Sequence, residues 1–293
     1  MKTTGIFETY RYTIPFRTYN EPIYLIPFGD IHRSSTMCAV DKWMEFLEWA
    51  SKKPNCYFLG MGDYDDLAST SERYLLQDRA LHESTIQTIE DLYLKNTMRL
   101  AKELNFMKGK LVGLIEGNHY GEFQNGTTTT QKLAELLGCK YLGVSGFVRL
   151  AFEKKVGNKT INASIDLWAH HGLGASRLVG GSLNRVQQML EAADSDLYLM
   201  GHDHKKSLGM TSRLYLTNGN GSVKLRHRKV LFGRTGSFLN AYESGKVSYI
   251  VDSAMSPTDL GTLKIELTPK RENETVGGKN INDHIYIDVH GSI

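Results

Sequence analysis

Cysteine is scarce in this chain, and what there is lies scattered. Cys38, Cys56 and Cys139 are odd in number and never form a Cys-x-x-Cys pair. That argues against both a disulfide framework and a thiolate zinc site. Long apolar runs are missing too. No segment approaches the roughly 18 apolar residues of a membrane span, and the polar start, with Arg11, Arg17 and Glu21, lacks the apolar stretch of a signal peptide. The expected location is cytoplasmic, with no membrane partner. Charge is close to balanced: a formal net charge of +3 over 293 residues does not by itself predict nucleic-acid binding. There is no internal repeat, no low-complexity tract, no Gly-x-Ser-x-Gly elbow and no Walker-type loop, so nothing indicates a serine nucleophile or a P-loop. What is present is ordinary for a globular protein, 41% hydrophobic and 23% charged residues, which excludes disorder along the whole chain.

Short apolar runs alternate with longer helical patterns through the first two-thirds. Strands are expected at Ile23 to Phe28, Cys56 to Leu59, Leu111 to Ile115, Tyr141 to Phe152, Ile161 to Ala169 and Leu197 to Met200. Helices are expected at Val40 to Trp49, Ser84 to Leu104, Thr129 to Leu137 (closed by Gly138) and Leu183 to Ala193. After His204 the pattern changes to turns and short strands: Leu214 to Leu216, Val247 to Ile250, Thr262 to Leu267 and Ile285 to Val289. The polar stretch Lys270 to Asn282 reads as an exposed loop. The division implied is a core over 1–210 and a β-rich C-terminal part over 211–293 packed on it.

Metal-ligand residue types stand just past successive apolar runs. They are Asp30-Ile31-His32, then Gly62-Asp63-Tyr64-Asp65-Asp66, Gly117-Asn118-His119, His170-His171-Gly172 and Gly201-His202-Asp203-His204. Open α/β sheets bind ligands outside the carboxyl ends of their strands, so the five segments could converge on one crevice. Any one of them alone is weak, since Asp-x-His or Gly-Asn-His most often marks a cap or a turn. Their joint occurrence, in order, is the signal. Oxygen and nitrogen donors without thiolate suit Mn²⁺, Fe²⁺ or Zn²⁺. Six or more candidate ligands over-supply one ion, which points to two ions about 3.5–4 Å apart.

This order of motifs resembles the calcineurin-like metallophosphoesterases, over Phe28 to His204, with a layout similar to phage and bacterial members. The resemblance implies a four-layer αββα sandwich of two mixed sheets, here with a β-rich C-terminal extension. It implies that Asp30, His32 and His204 hold one metal, that Asn118, His170 and His202 hold the other, and that Asp63 bridges them. Mn²⁺ is the expected ion. His119 matches the family's catalytic histidine, which assists the departing alkoxide, and Asp66 the carboxylate that orients it. Two departures stand out. Tyr120 follows Gly-Asn-His where the family often has an acid, and His170 and His171 compete for one position. His170 is favoured because it directly ends its strand, which leaves His171 to face substrate or solvent.

The reaction expected is in-line hydrolysis of a phosphodiester or phosphomonoester by metal-activated water, with nucleic acid or nucleotides as the favoured substrates. The glycine-rich stretch Gly172 to Ser182 carries Arg177, a candidate phosphate contact, with Ser182 as a candidate helix N-cap. Arg185 is a second candidate contact. Lys205, Lys206 and the run Lys224-Leu225-Arg226-His227-Arg228-Lys229 could line a track for a nucleic-acid backbone or form a solvated edge strand. A protein phosphatase is disfavoured, because Asp66 is followed by Leu67 without the Asp-Arg-Gly continuation. The alternative from another class is a non-catalytic, metal-stabilised module that contacts DNA or a protein partner.

Overall fold

A computed structural model of the chain describes all residues except 1–7, 79–80, 175, 177, 220–221, 243–244, 246–250, 252–255, 258 and 277–278. Among the described residues, eleven strands form two mixed sheets. They are Glu8–Pro15 (β1), Ile23–Phe28 (β2), Cys56–Gly60 (β3), Leu111–Leu114 (β4), Ser145–Val156 (β5), Lys159–His170 (β6), Leu197–Met200 (β7), Lys206–Gly219 (β8), Ser222–Thr235 (β9), Lys264–Val276 (β10) and Lys279–Ser292 (β11). One sheet has the order β1-β5-β6-β7-β9-β8 and the other β11-β10-β2-β3-β4. β2, β3 and β4 are mutually parallel, as are β6, β7 and β9. Strands from the C-terminal part therefore complete both sheets: β8 and β9 extend the first, β10 and β11 the second.

Alternation along the strands explains the layering, because successive side chains point to opposite faces. On β2, Ile23 and Leu25 meet Val148, Leu150, Leu167 and Leu199 of the six-stranded sheet in a core between the sheets. Ile26 and Phe28 face the other way. They pack with Trp43 and Leu47 of helix Val40–Ser51 (α1), Leu100 of Glu83–Glu103 (α3) and Leu133 of Thr129–Leu137 (α4). Beyond the six-stranded sheet, Tyr198 and Met200 of β7 lie under Val186 and Met189 of Val179–Ala192 (α5). The order is helices, sheet, sheet, helix. Each buried Leu, Ile or Phe contributes about 1.5–3 kcal/mol, so strands covered on both faces hold their ends rigidly.

Several expectations are corrected. β1 was not foreseen; Tyr10, Tyr12 and Ile14 alternate along it, and it pairs parallel to β5. Thr70–Asp78 is a further helix (α2). Lys270 to Val276 and Lys279 to Asn282 are not loop but the outer part of the β10–β11 ribbon, where cross-strand pairs such as Glu272 with His284 stand in register. Ser182 does not cap α5. Leu178 occupies the N-cap, and the buried Ser182 hydroxyl donates to Asp203 instead. The strand expected at Val247 to Ile250 lies outside the described residues. α4 follows its sequence signals closely: Thr128 and Gln131 form a reciprocal capping box, and Gly138 closes the helix with φ 64°.

Candidate metal centre

Five strand ends meet at one edge of the sandwich. Asp30 and His32 follow β2, Asp63 follows β3, and Asn118 and His119 follow β4. His171 follows β6, while His202 and His204 follow β7. Backbone bonds lace these ends together. Asp30 N–H donates to Gly62 O at 2.9 Å and Ile31 N–H to Asp63 O at 2.8 Å. The Asp63 carboxylate ties in the third end, since its Oδ1 accepts from the amides of Asn118 and His119, both at 2.8 Å. The Asp30 carboxylate ties in the fifth by accepting from His202 N–H, 3.0 Å from Oδ2. From below, Ser237 Oγ donates to Asp30 O at 2.9 Å.

The backbone here is unusual. Among the described residues, six non-glycine positions have positive φ, and five of them are Asp30 (46°), His32 (48°), Asp63 (48°), His202 (74°) and His204 (61°). L-residues adopt this region rarely, and clusters of such positions persist only where the surroundings over-determine them. The sharp bends turn carboxylate and imidazole groups inward at the strand ends.

The inward side chains form two groups, Asp30–His32–His204 and Asp63–His171–His202, and the ligand-type atoms within each lie within 4.8 Å of one another. Asn118 joins the second: its Oδ1 is 2.9 Å from His171 Nε2 and 2.8 Å from His202 Nδ1. Asp63 Oδ2 stands between the groups, 3.3 Å from His171 Nε2 and 3.7 Å from His32 Nε2. Asp30 Oδ1 is 3.5 Å from His204 Nε2. A third group holds His32, Asp66 and His119. Asp66 Oδ1 lies 2.9 Å from His119 Nδ1 and 3.4 Å from His32 Nδ1. The floor is buried and the rim is open: Asp30, His32, Asp63 and His171 are buried, whereas the His119 and Asp66 side chains keep 27% and 35% of their surface exposed.

The histidine pair is resolved against expectation. His171 enters the cluster and His170 does not. Leu167 and Ala169 face the core between the sheets, so the period of two carries His171 to that side and His170 away with Trp168. His170 Nδ1 instead accepts from Gly172 N–H at 2.8 Å. His171 does not face solvent, being 1% exposed.

Burial and charge pull the ionisable groups apart. Burial drives the Asp30 carboxyl up to about 7 even though His171 and His32 stand nearby. Burial would also raise Asp63, but the adjacent His171 and His32 outweigh it and hold the carboxyl far below its usual range. Burial takes His202 down to about 4, with His171 adding to the effect, and His204 down to about 3 with help from His32. His171 goes the other way, to about 9, because Asp63 overcomes its burial. Hydrogen bonds from His119 and then His32 hold Asp66 low.

This donor set fits divalent cations. His171 Nδ1 faces the Met61 carbonyl at 2.8 Å, while its Nε2 faces the oxygens of Asn118 and Asp63. A ring with oxygen acceptors at both nitrogens needs two protons, or one proton and a cation. His32 Nε2 is buried without any hydrogen-bond partner beside the Asp63 carboxylate. Carboxylate, amide and imidazole donors of this kind suit borderline ions, so the clusters could hold two of them.

No family model and no curated protein matches the chain.

Arg177 lies outside the described residues, and much of the basic run is engaged elsewhere. Arg228 pairs with Asp194 and Asp196, Lys229 with Asp288 and Lys206 with Asp259. Two arginines beside the site went unforeseen. Arg234, fully buried, donates to Gly201 O at 2.7 Å and to Ser182 O at 3.1 Å, and so braces the turn that carries His202. Its only sequence signal is a cation ending the apolar run Val230 to Gly233. Arg73 of α2 contacts the backbone around His119. The pattern Ser69-x-x-Glu72 just ahead of it is a helix-start signal.

Proposed function

We propose that the protein is a dinuclear metal-dependent phosphoesterase of the calcineurin-like metallophosphoesterase type. The observation that carries this reading is the pair of carboxylate–imidazole groups, Asp30–His32–His204 and Asp63–His171–His202, on either side of Asp63 Oδ2. Asp30, His32 and His204 would hold one ion, Asn118, His171 and His202 the other, and Asp63 would serve both. His171 thus replaces His170 in the ligand set, on the geometry described above. Mn²⁺ is the ion of choice, with Fe²⁺ or Zn²⁺ compatible with the same donors.

When bound, two such ions would draw charge from phosphoryl oxygens and lower the pKa of water toward about 7. The chain's own part is positional and protonic. His119 stands at the open rim with Nδ1 held by Asp66, which leaves Nε2 to pass a proton to the departing oxygen. The same carboxylate steadies His32, so the proton donor and one ligand share an orienting group. Asp63 Oδ1, fixed by two amides, keeps Oδ2 turned toward both groups.

The substrate is a phosphodiester or phosphomonoester. Nucleic acid or nucleotides are the class we favour, although the ion pairs of Arg228 and Lys229 leave β9 fewer cations for a phosphate backbone.

The test is hydrolysis of bis-p-nitrophenyl phosphate and p-nitrophenyl phosphate with added Mn²⁺, together with metal content by mass spectrometry. Wild type should hold two ions and turn over at least one ester. Asp63→Asn, which keeps an oxygen for the two amides, should lose activity and metal. A wild type that binds two ions and cleaves neither ester with any divalent ion removes the enzyme reading and leaves the binding module.

A further inference from the structure

Arg73 reaches the catalytic candidate from outside the cluster. Its Nη1 donates to three carbonyls: Ala68 at 2.6 Å, Asn118 at 2.8 Å and Tyr120 at 3.2 Å. Its Nη2 donates to Thr70 Oγ1 at 3.3 Å. The guanidinium also lies 3.7 Å from the centre of the Tyr120 ring. Asn118 and Tyr120 are the residues on either side of His119, so a single side chain grips the histidine's backbone from both sides.

Local structure makes the grip firm. Ser69 N–H and Oγ both donate to Glu72 Oε2, at 2.8 and 2.7 Å, and Arg73 N–H donates to Ser69 O at 3.0 Å. This closes the first turn of α2 and sets the direction in which Arg73 leaves it. Arginine suits the task because its planar fork can serve several carbonyls and lie on an aromatic face at once. Asp66 comes from the same stretch of chain, seven residues earlier by number. One segment thus holds the His119 ring, through Asp66, and the His119 backbone, through Arg73.

We propose that Arg73 is a positioning residue for His119, setting the imidazole at the angle from which it protonates the leaving group. The inference rests on the role given to His119 above. Tyr120 supplies the platform for this clamp at the position where an acid was expected.

The test uses the Mn²⁺-loaded protein and two diesters that differ in leaving group, bis-p-nitrophenyl phosphate and diphenyl phosphate. Help to the leaving oxygen matters more for phenolate than for nitrophenolate. Arg73→Ala should therefore lower kcat about tenfold or more on diphenyl phosphate and only about threefold or less on the nitrophenyl ester, with KM little changed. Arg73→Lys should recover part of the loss, and in a His119→Ala background Arg73→Ala should have no further effect. Equal losses on both esters, or a loss that adds to that of His119→Ala, overturn the inference. If wild type cleaves neither ester, the phosphoesterase reading fails, and amide hydrogen exchange over 118–121 in metal-free protein decides the clamp. Faster exchange in Arg73→Ala than in wild type upholds it, and unchanged exchange removes it.

Discussion

Gly117→Ala should pull two strand ends apart without altering any candidate ligand. A Cβ at Gly117 would run into both Oδ1 and the backbone N of Asp63, while the φ of Gly117 lies outside the left-handed region. The penalty is therefore collision, not backbone strain. To make room, the Asp63 carboxylate must leave the amides of Asn118 and His119, each now 2.8 Å away. Hydrogen bonds to charged groups contribute about 1.5–3 kcal/mol each, so losing both costs about 3–6 kcal/mol. That is a large share of the roughly 5–15 kcal/mol that holds a native protein. Gly138→Ala is the control. Nothing lies within 4 Å of its would-be Cβ, and only its φ of 64° resists a side chain, a cost of about 1–2 kcal/mol. Urea unfolding followed by tryptophan fluorescence in EDTA measures both variants against wild type, and Mn²⁺ titration follows. The reasoning is refuted if Gly117→Ala is no less stable than Gly138→Ala and binds Mn²⁺ with wild-type stoichiometry.

Other outcomes follow from the same geometry. His171→Ala should lose one of two bound Mn²⁺ by mass spectrometry while His170→Ala keeps both; the reverse result would return His170 to the site. His119→Ala should hold metal normally and lower kcat on diphenyl phosphate about a hundredfold or more, whereas a loss under about threefold on that ester would deny it proton transfer. In metal-free protein, the His171 pKa rises from its ordinary 6.5 to about 9. A raised histidine stabilises the fold fully below 6.5 and loses that contribution as pH climbs through 9. Asp30, raised to about 7, and the lowered His202 and His204 change little above pH 7. Thermal melts in EDTA should therefore fall between pH 7 and 9. Mn²⁺ should flatten that fall, since its binding wants neutral imidazole; identical profiles with and without metal would contradict this.

The parts legible in the sequence were those in which one residue type has one physical use. Ile23 to Phe28 and Leu197 to Met200 could hardly be anything but strands buried on both faces, and the polar residues just past them had to stand at strand ends. The His170–His171 choice was not legible for a different reason. Alternation along Ile165 to Ala169 showed that the two rings must part, but not which face met the other sheet. That depends on the partner of Leu167 and Ala169, a tertiary fact. The outer β10–β11 ribbon was hidden because polar strands gain their order from pairing, which single-strand patterning does not reveal, whereas Tyr10, Tyr12 and Ile14 of β1 do alternate in the sequence. α2 carried a start signal at Ser69 to Glu72, but its amphipathic stripe is short, and Arg73 acquires meaning only beside Asn118 and Tyr120.

Strain and charge in the cluster argue for the same partner. Asp30, His32, Asp63, His202 and His204 all adopt left-handed backbone, which costs an L-residue about 1–2 kcal/mol where nothing offsets it. Burial at the same positions raises Asp30, lowers His202 and His204, and leaves His32 Nε2 without a hydrogen bond. Neither feature helps folding. A purely structural polar cluster would relax by moving these groups to solvent or by substituting apolar residues of similar volume, since buried ionic networks often add little stability. A pair of divalent cations changes that balance. It would screen Asp30 from Asp63, accept the lone pair of His32 and keep His202 and His204 neutral, the form toward which burial already drives them. The left-handed bends would then serve to aim the donors, and fold stability and metal affinity would be drawn from one network of bonds centred on Asp63.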